Sequence, residues 1–168
     1  MRVLDYGILD LNRPDIEITL DLLYIENQVK LYSAKTELGE PMALDTRPDV
    51  YWDQNTFVPI RVAESAGLPL DGTNGLEYHR ITFDEAGVKV IPVQTQPTTI
   101  YQVLDKINKS YGVQLTERDI LDAPIIPGQD PNLVANARSW VWQGTSRMAQ
   151  RNTILTKLHL DCFKEYVA

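Results

Sequence analysis

Two histidines, one cysteine and two groups of aspartates are the side chains with the chemistry for catalysis or metal binding. His79 and His159 are the groups able to exchange protons near neutral pH. They are far apart in sequence, each in a strand-like segment flanked by apolar residues. A metal pair or a catalytic base is one reading, and two solvent-facing strand residues the other. The second is expected, because no His, Cys and carboxylate cluster shows metal-ligand spacing. A nucleophilic Cys162 would need His159 and an oxyanion hole, yet a spacing of three on a strand puts two side chains on opposite faces. A partly buried structural thiol fits better. Asp45, Asp49 and Asp53 share one loop, and Asp119 lies near Asp122. Paired carboxylates run glycoside hydrolysis or hold calcium. Neither group has the Asp-x-Asp-x-Asp-Gly spacing of a calcium loop, and intervals of four give no ligand geometry without a helix. Solvated loop charge is the plainer reading, and a small hydrolase using Asp119 and Asp122 would require a raised carboxyl pKa in a pocket. Gly67, Gly72 and Gly75 precede no Gly-Lys-Ser/Thr, and no Gly-x-Ser-x-Gly elbow occurs. No catalytic residue, metal or cofactor is expected.

The aromatic residues suggest recognition instead. Tyr51 and Trp52 border a long loop, while Trp140 and Trp142 flank Val141 in a segment, 139–142, that reads as a strand. Residues two apart on a strand share a face. That face covers the chain's own helix, meets another protein, or forms a sugar platform. Tyr51, Trp52, Trp140 and Trp142 are therefore the interface candidates.

These residues must be positioned by a β-rich framework. Residues 16–25 alternate Ile16, Ile18, Leu20, Leu22 and Tyr24 with Glu17, Thr19 and Asp21, the pattern of a half-buried strand. With 29–32 they predict a β-hairpin. Residues 33–53, with Gly39, Pro41 and Pro48, read as a long connection of the kind often ordered by a partner. Residues 57–62 predict an edge strand, since Pro59 cannot donate to a ladder. A Gly-, Pro- and Asn-rich loop runs through Gly75. Residues 78–83 and 88–93 predict a second hairpin turning at 84–87. Residues 99–111 predict a helix: Ile100, Val103, Leu104, Ile107 and Tyr111 share a face, Thr99 and Gln102 form a capping box, and Gly112 suits a left-handed C-terminal cap. A short helix at about 117–122 would begin after Thr116 and stop before Pro124. Residues 124–132 form a loop, and 153–160 a closing strand. The expected class is α+β, antiparallel and β-rich, with the helices at 99–111 and 117–122 packed on one side. The parts are a β-rich region over 1–97 with long loops and a helix-helix-hairpin module over 98–168, or one continuous domain.

Totals set the frame. A chain of 168 residues, 43% hydrophobic and 23% charged, buries enough surface to need no staple. Its single cysteine makes no internal disulfide and fits a reducing compartment. No run approaches the roughly 20 apolar residues of a membrane span, and the first residues lack the cationic start and apolar core of a secretory signal. A net charge of −7, with a pI near 4.8 and scattered basic residues, argues against nucleic-acid binding. An acidic face could instead repel passing DNA.

The stretch of roughly 98–161 carries a more particular pattern. An amphipathic helix with Ile107-Asn108 is followed by Gly112, then Leu115-Thr116 and the acidic Asp119-Ile120; Asn136-Ala137-Arg138 opens a strand, and 152–161 alternates Asn, Leu and Asp. This resembles a module of virion structural proteins of large tailed bacteriophages, with Trp140 and Trp142 where small β-branched residues are usual. The resemblance implies a structural subunit of the tail, baseplate or neck. It would be made in the host cytoplasm and carried in the virion, assembled with copies of itself and other virion proteins. It would use no cofactor, membrane or specific nucleic-acid contact. A carbohydrate- or receptor-binding module using the same aromatics is the alternative.

Overall fold

The computed structural model describes residues 9–44, 54–63 and 74–151. The first element is a helix, α1, at Asp15–Asn27. Pro14 has no N–H to leave unpaired at a helix start, and its carbonyl accepts from Glu17 and Ile18 at 2.9 and 3.2 Å. Asp15 and Glu17 then sit at the positive end of the helix dipole. Arg13 bonds Glu17 and Asp21, partners that align only on a helix turning every four residues. The inward face buries Ile18, Thr19, Leu20, Leu22 and Leu23, and Gln28 closes the helix in a left-handed conformation at φ 58°. The hairpin expected from 16–25 and 29–32 is thus replaced by a helix. The alternation is present, but with Thr19 and Leu23 the buried Ile18, Leu20 and Leu22 also fall at spacings of three and four, and α1 packs against β4.

That sheet has β3 (Thr56–Val62) at its centre. On one side lies β4 (Gly75–Tyr78), against which α1 packs. On the other, β1 (Thr36–Leu38) and β2 (Met42–Ala43) follow one another along β3. Residues 33–44 of the expected connection therefore carry a 3₁₀ turn at Ser33–Lys35 and two short strands. β3 is not an edge strand. It tolerates Pro59 because the ladder breaks there, between β1 and β2, where Gly39 N–H donates to the Pro59 carbonyl at 2.8 Å.

The turn at 84–87 forms, with Val88 N–H on the Phe83 carbonyl at 2.8 Å and Gly87 at φ 74°. Its flanking strands, β5 (Ile81–Thr82) and β6 (Val90–Pro92), do not pair with each other. Each takes a parallel partner late in the chain: β5 pairs β10 (Trp142–Gln143), and β6 pairs β12 (Ala149–Arg151). Side-chain burial decides this, because Phe83, Val88 and Ile91 all face the shared core.

Helix α2, Ile100–Tyr111, matches its expectation. Ile100, Val103 and Ile107 are buried, Gln102 accepts from Thr99 N–H at 3.2 Å, and Gly112 caps the end at φ 63°. Before it, β7 (Thr98–Thr99) pairs with β8 (Pro124–Ile125). The helix expected at 117–122 is a single turn followed by a bridge from Ile120 to Ala135. Finally β9 (Asn132–Val134) pairs antiparallel with β11 (Thr145–Arg147). The class is α+β and β-rich with two helices, as expected, but the second helix is α1. Strand pairs β5–β10 and β6–β12 cross position 97, and residues of both halves share one hydrophobic cluster. The expected strand at 153–160 lies outside the described residues.

Candidate functional site

The segment 137–142 gathers contacts from residues 39–40, 78–83 and 118–119, and one hydroxyl shapes it. Ser139 Oγ accepts from the N–H groups of Val141 and Trp142 at 3.3 and 3.0 Å. This local turn competes with an extended ladder. It curls the chain, so that Val141 and Trp142 both point inward, 0% and 1% exposed, while Trp140 stays at the surface edge. The expected strand at 139–142, with two indoles on one face, is therefore not formed. Trp142 stacks on Phe83 with centroids 5.1 Å apart and belongs to the core. It has no surface to present to a partner. Half-buried Trp140 donates its Nε1–H to the Gly39 carbonyl at 2.8 Å, and the Arg118 guanidinium lies 4.2 Å over its ring. The two indoles make no sugar platform.

Opposite charges flank Ser139. Buried Arg80 donates to the carbonyls of Ser139 and Ala137 at 2.9 and 3.1 Å and to Thr56 Oγ1 at 2.7 Å. Burial lowers the pKa of its guanidinium, partly offset by Tyr78. Tyr78, whose own pKa burial raises, gives its hydroxyl hydrogen to the Trp140 carbonyl at 2.5 Å. On the other side the Ser139 hydroxyl donates to buried Asp119 at 2.6 Å. Asp119 also accepts from Thr116 N–H and Oγ1 at 2.9 and 2.8 Å, and burial with the nearby Asp119 charge raises the Asp15 carboxyl to about 7. At the rim, Glu40 pairs Arg138 at 3.2 Å and Arg118 at 3.6 Å. The Arg138 hydrogen bond, outweighing burial, holds the Glu40 carboxyl below its usual range. The cluster is a polar clamp whose donors and acceptors face one another.

The remaining chemical candidates are similarly engaged. Asp122 turns away from Asp119 and accepts from Tyr101 N–H at 3.0 Å, capping α2. The hydrolase pair is thus not assembled. Asn55 uses its oxygen to accept Arg80 N–H at 2.8 Å, so its amide nitrogen faces His79 Nδ1 at 2.9 Å. This makes His79 Nδ1 an acceptor and leaves the Nε2 hydrogen for Glu85 at 3.1 Å. Burial pushes the Glu85 carboxyl up, but bonds from His79 and Thr82 outweigh it and hold the carboxyl low. Among the described residues no three His, Cys, Asp or Glu side chains converge on a metal position. None of the described helices is long and apolar enough to cross a membrane. Tyr51, Trp52, Asp45, Asp49, Asp53, His159 and Cys162 lie outside the described residues.

Part of the described surface is apolar. Where α1 ends, Tyr24, Val29 and Tyr32 are 47%, 41% and 60% exposed. Tyr24 lines a groove of about 320 Å³ together with Leu20, Asp21, Lys30 and Leu31. Lys30 Nζ stands 5.6 Å over the Tyr32 ring. Exposed tyrosines of this kind are enriched at protein interfaces.

The sequence profile of one family, described as of unknown function, matches residues 9–158. The chain belongs to DUF7941. Nothing among curated proteins or solved structures matches it. The DUF7941 match takes in α1, the sheet, the clamp and α2 together. In this DUF7941 protein, reasoning from sequence missed Asp15, Arg80 and Ser139, which have no local pattern. Tyr24 and Tyr32 were hidden by reading their surroundings as a hairpin.

Proposed function

We propose that this chain is a structural subunit of a tailed-phage virion, in the tail, baseplate or neck, and that it acts through protein–protein contacts. The observation that carries the reading is the division of its side chains. Among the described residues, Arg80, Asp119 and Ser139 are enclosed and hydrogen-bonded, whereas Tyr24, Val29 and Tyr32 are left exposed, Tyr24 in the wall of a groove. Exposed apolar surface of this kind marks interaction sites. The resemblance of 98–161 to phage structural proteins supports it, and the net charge of −7 is compatible with a subunit that repels passing DNA. Its partners are copies of itself and other virion proteins, and its place is the virion, after synthesis in the host cytoplasm.

The test is to purify phage particles whose genome encodes this chain and examine them by mass spectrometry and immunogold labelling. Gold at one position on the tail or neck is the expected result. Particles free of the chain by both methods would remove the reading, and glycan-array binding by the isolated chain would put a receptor-binding module in its place. If the chain is present, Tyr24→Ser with Tyr32→Ser should reduce its incorporation several-fold while leaving its circular dichroism unchanged.

A further inference from the structure

Asn55 is 4% exposed, and its neighbours fix which way its carboxamide points. Its Oδ1 accepts from Arg80 N–H and from the Thr56 hydroxyl, each at 2.8 Å, while Nδ2 donates to the Arg80 carbonyl at 3.1 Å. Thr56 Oγ1 accepts from Arg80 Nε at 2.7 Å, which leaves its own hydrogen for Asn55. Turning the amide over would set nitrogen against a backbone N–H and oxygen against a carbonyl. The second Nδ2 hydrogen therefore points at His79 Nδ1, 2.9 Å away.

A neutral imidazole satisfies this arrangement, accepting at Nδ1 and donating from Nε2 to Glu85 at 3.1 Å. A charged ring carries hydrogen on both nitrogens and would set one donor against another at Asn55. Glu85 is a partner for the ring in either state, and Thr82 N–H and Oγ1 hold its carboxylate in place at 2.7 and 3.0 Å. Among the described residues, Glu85 is the ionised group bonded to the ring; Arg80, next in the chain, sends its guanidinium to Thr56, Ala137 and Ser139. The contact that charging must break is the one to Asn55. At 23% side-chain exposure, the ring is within reach of solvent protons.

We propose that the Asn55 carboxamide reads the protonation state of His79, binding the neutral ring and releasing the charged one, so that acid loosens the tie between the start of β3 and the segment 78–80.

That tie matters beyond its own residues. Besides its side chain, Asn55 donates its backbone N–H to the Tyr78 carbonyl at 3.1 Å, and the segment it holds supplies both Arg80 and Tyr78 to the clamp at Ser139. A proton on His79 thus acts on the clamp through Asn55 rather than through any group of the clamp itself.

The experiment follows the whole nitrogen-labelled chain by NMR between pH 8 and pH 5. At pH 8 the His79 ring should carry its hydrogen on Nε2, with Nδ1 bare. As the ring charges, the Asn55 side-chain amide signals should shift with the His79 midpoint, and Arg80 N–H, corrected for its intrinsic rate, should exchange faster. Asn55→Ala removes the opposing donor, so the His79 midpoint should rise by about one pH unit, a roughly tenfold gain in proton affinity. Glu85→Gln should move it the other way. Hydrogen on Nδ1 at pH 8, Asn55 amide signals that ignore the His79 midpoint, or a midpoint unchanged or lowered in Asn55→Ala would each overturn the proposal. Should Asn55→Ala fail to fold, the ring tautomer and the Asn55 response in the parent decide alone.

Discussion

Trp142 and Phe83 lie nearly parallel at 5.1 Å, at the point where β10 and β5 run side by side. Alanine at 142 would leave a cavity the size of an indole in a closed core. Trp142→Ala is expected to cost about 3–5 kcal/mol in equilibrium unfolding. Trp140→Ala removes a half-exposed ring and one hydrogen bond to Gly39, and should cost about 1–2 kcal/mol. Equal costs for the two would mean that Trp142 is not the core residue described. The difference between these neighbouring tryptophans comes from Ser139, whose hydroxyl turns the backbone between them. A hydroxyl two residues upstream is visible in the sequence. Whether it turns the chain depends on Asp119 and Arg80 holding it from both sides.

At the scale of elements, two glycines separate local conformation from tertiary contact. Gly112 ends α2 at φ 63° with open space around it, so Gly112→Ala pays only for the left-handed backbone, about 1 kcal/mol. Gly75 has no such φ, but a Cβ there would lie 2.2 Å from the Val58 carbonyl oxygen and 2.5 Å from the Phe57 ring. Gly75→Ala must push β4 away from β3. It is expected to cost more than Gly112→Ala in thermal melting and to weaken amide protection in β3. Gly112 was legible in the sequence, following an amphipathic helix where a cap belongs. The role of Gly75 was not, since it depends on which strand lies beside it. Helix α1 makes the same point. Its apolar residues satisfy both a strand and a helix period, and the deciding signals were Pro14, the acids after it, and Arg13, Glu17 and Asp21 at intervals of four.

At the scale of the molecule, residues before and after position 97 depend on each other. Phe83 stacks on Trp142, Arg80 reaches the carbonyls of Ala137 and Ser139, and Tyr78 reaches that of Trp140. A fragment of residues 1–97 would leave Arg80 without these acceptors, and β5 and β6 without their partners. It is expected to show neither a cooperative thermal transition nor dispersed amide resonances. A folded fragment would establish two independent units instead.

The sequence by itself determined the α+β class, helix α2 with both its caps, the turn at 84–87 and the central apolar run of β3. These rest on periodicity, capping chemistry and turn residues, which act over a few neighbours. Only the tertiary structure decided that β5 and β6 take parallel partners some sixty residues away, and that Trp142 is core. It alone set Asp119 and Arg80 against Ser139. Such pairings are chosen by which apolar faces can be buried together and which buried polar groups then find partners, and both depend on residues remote in the chain.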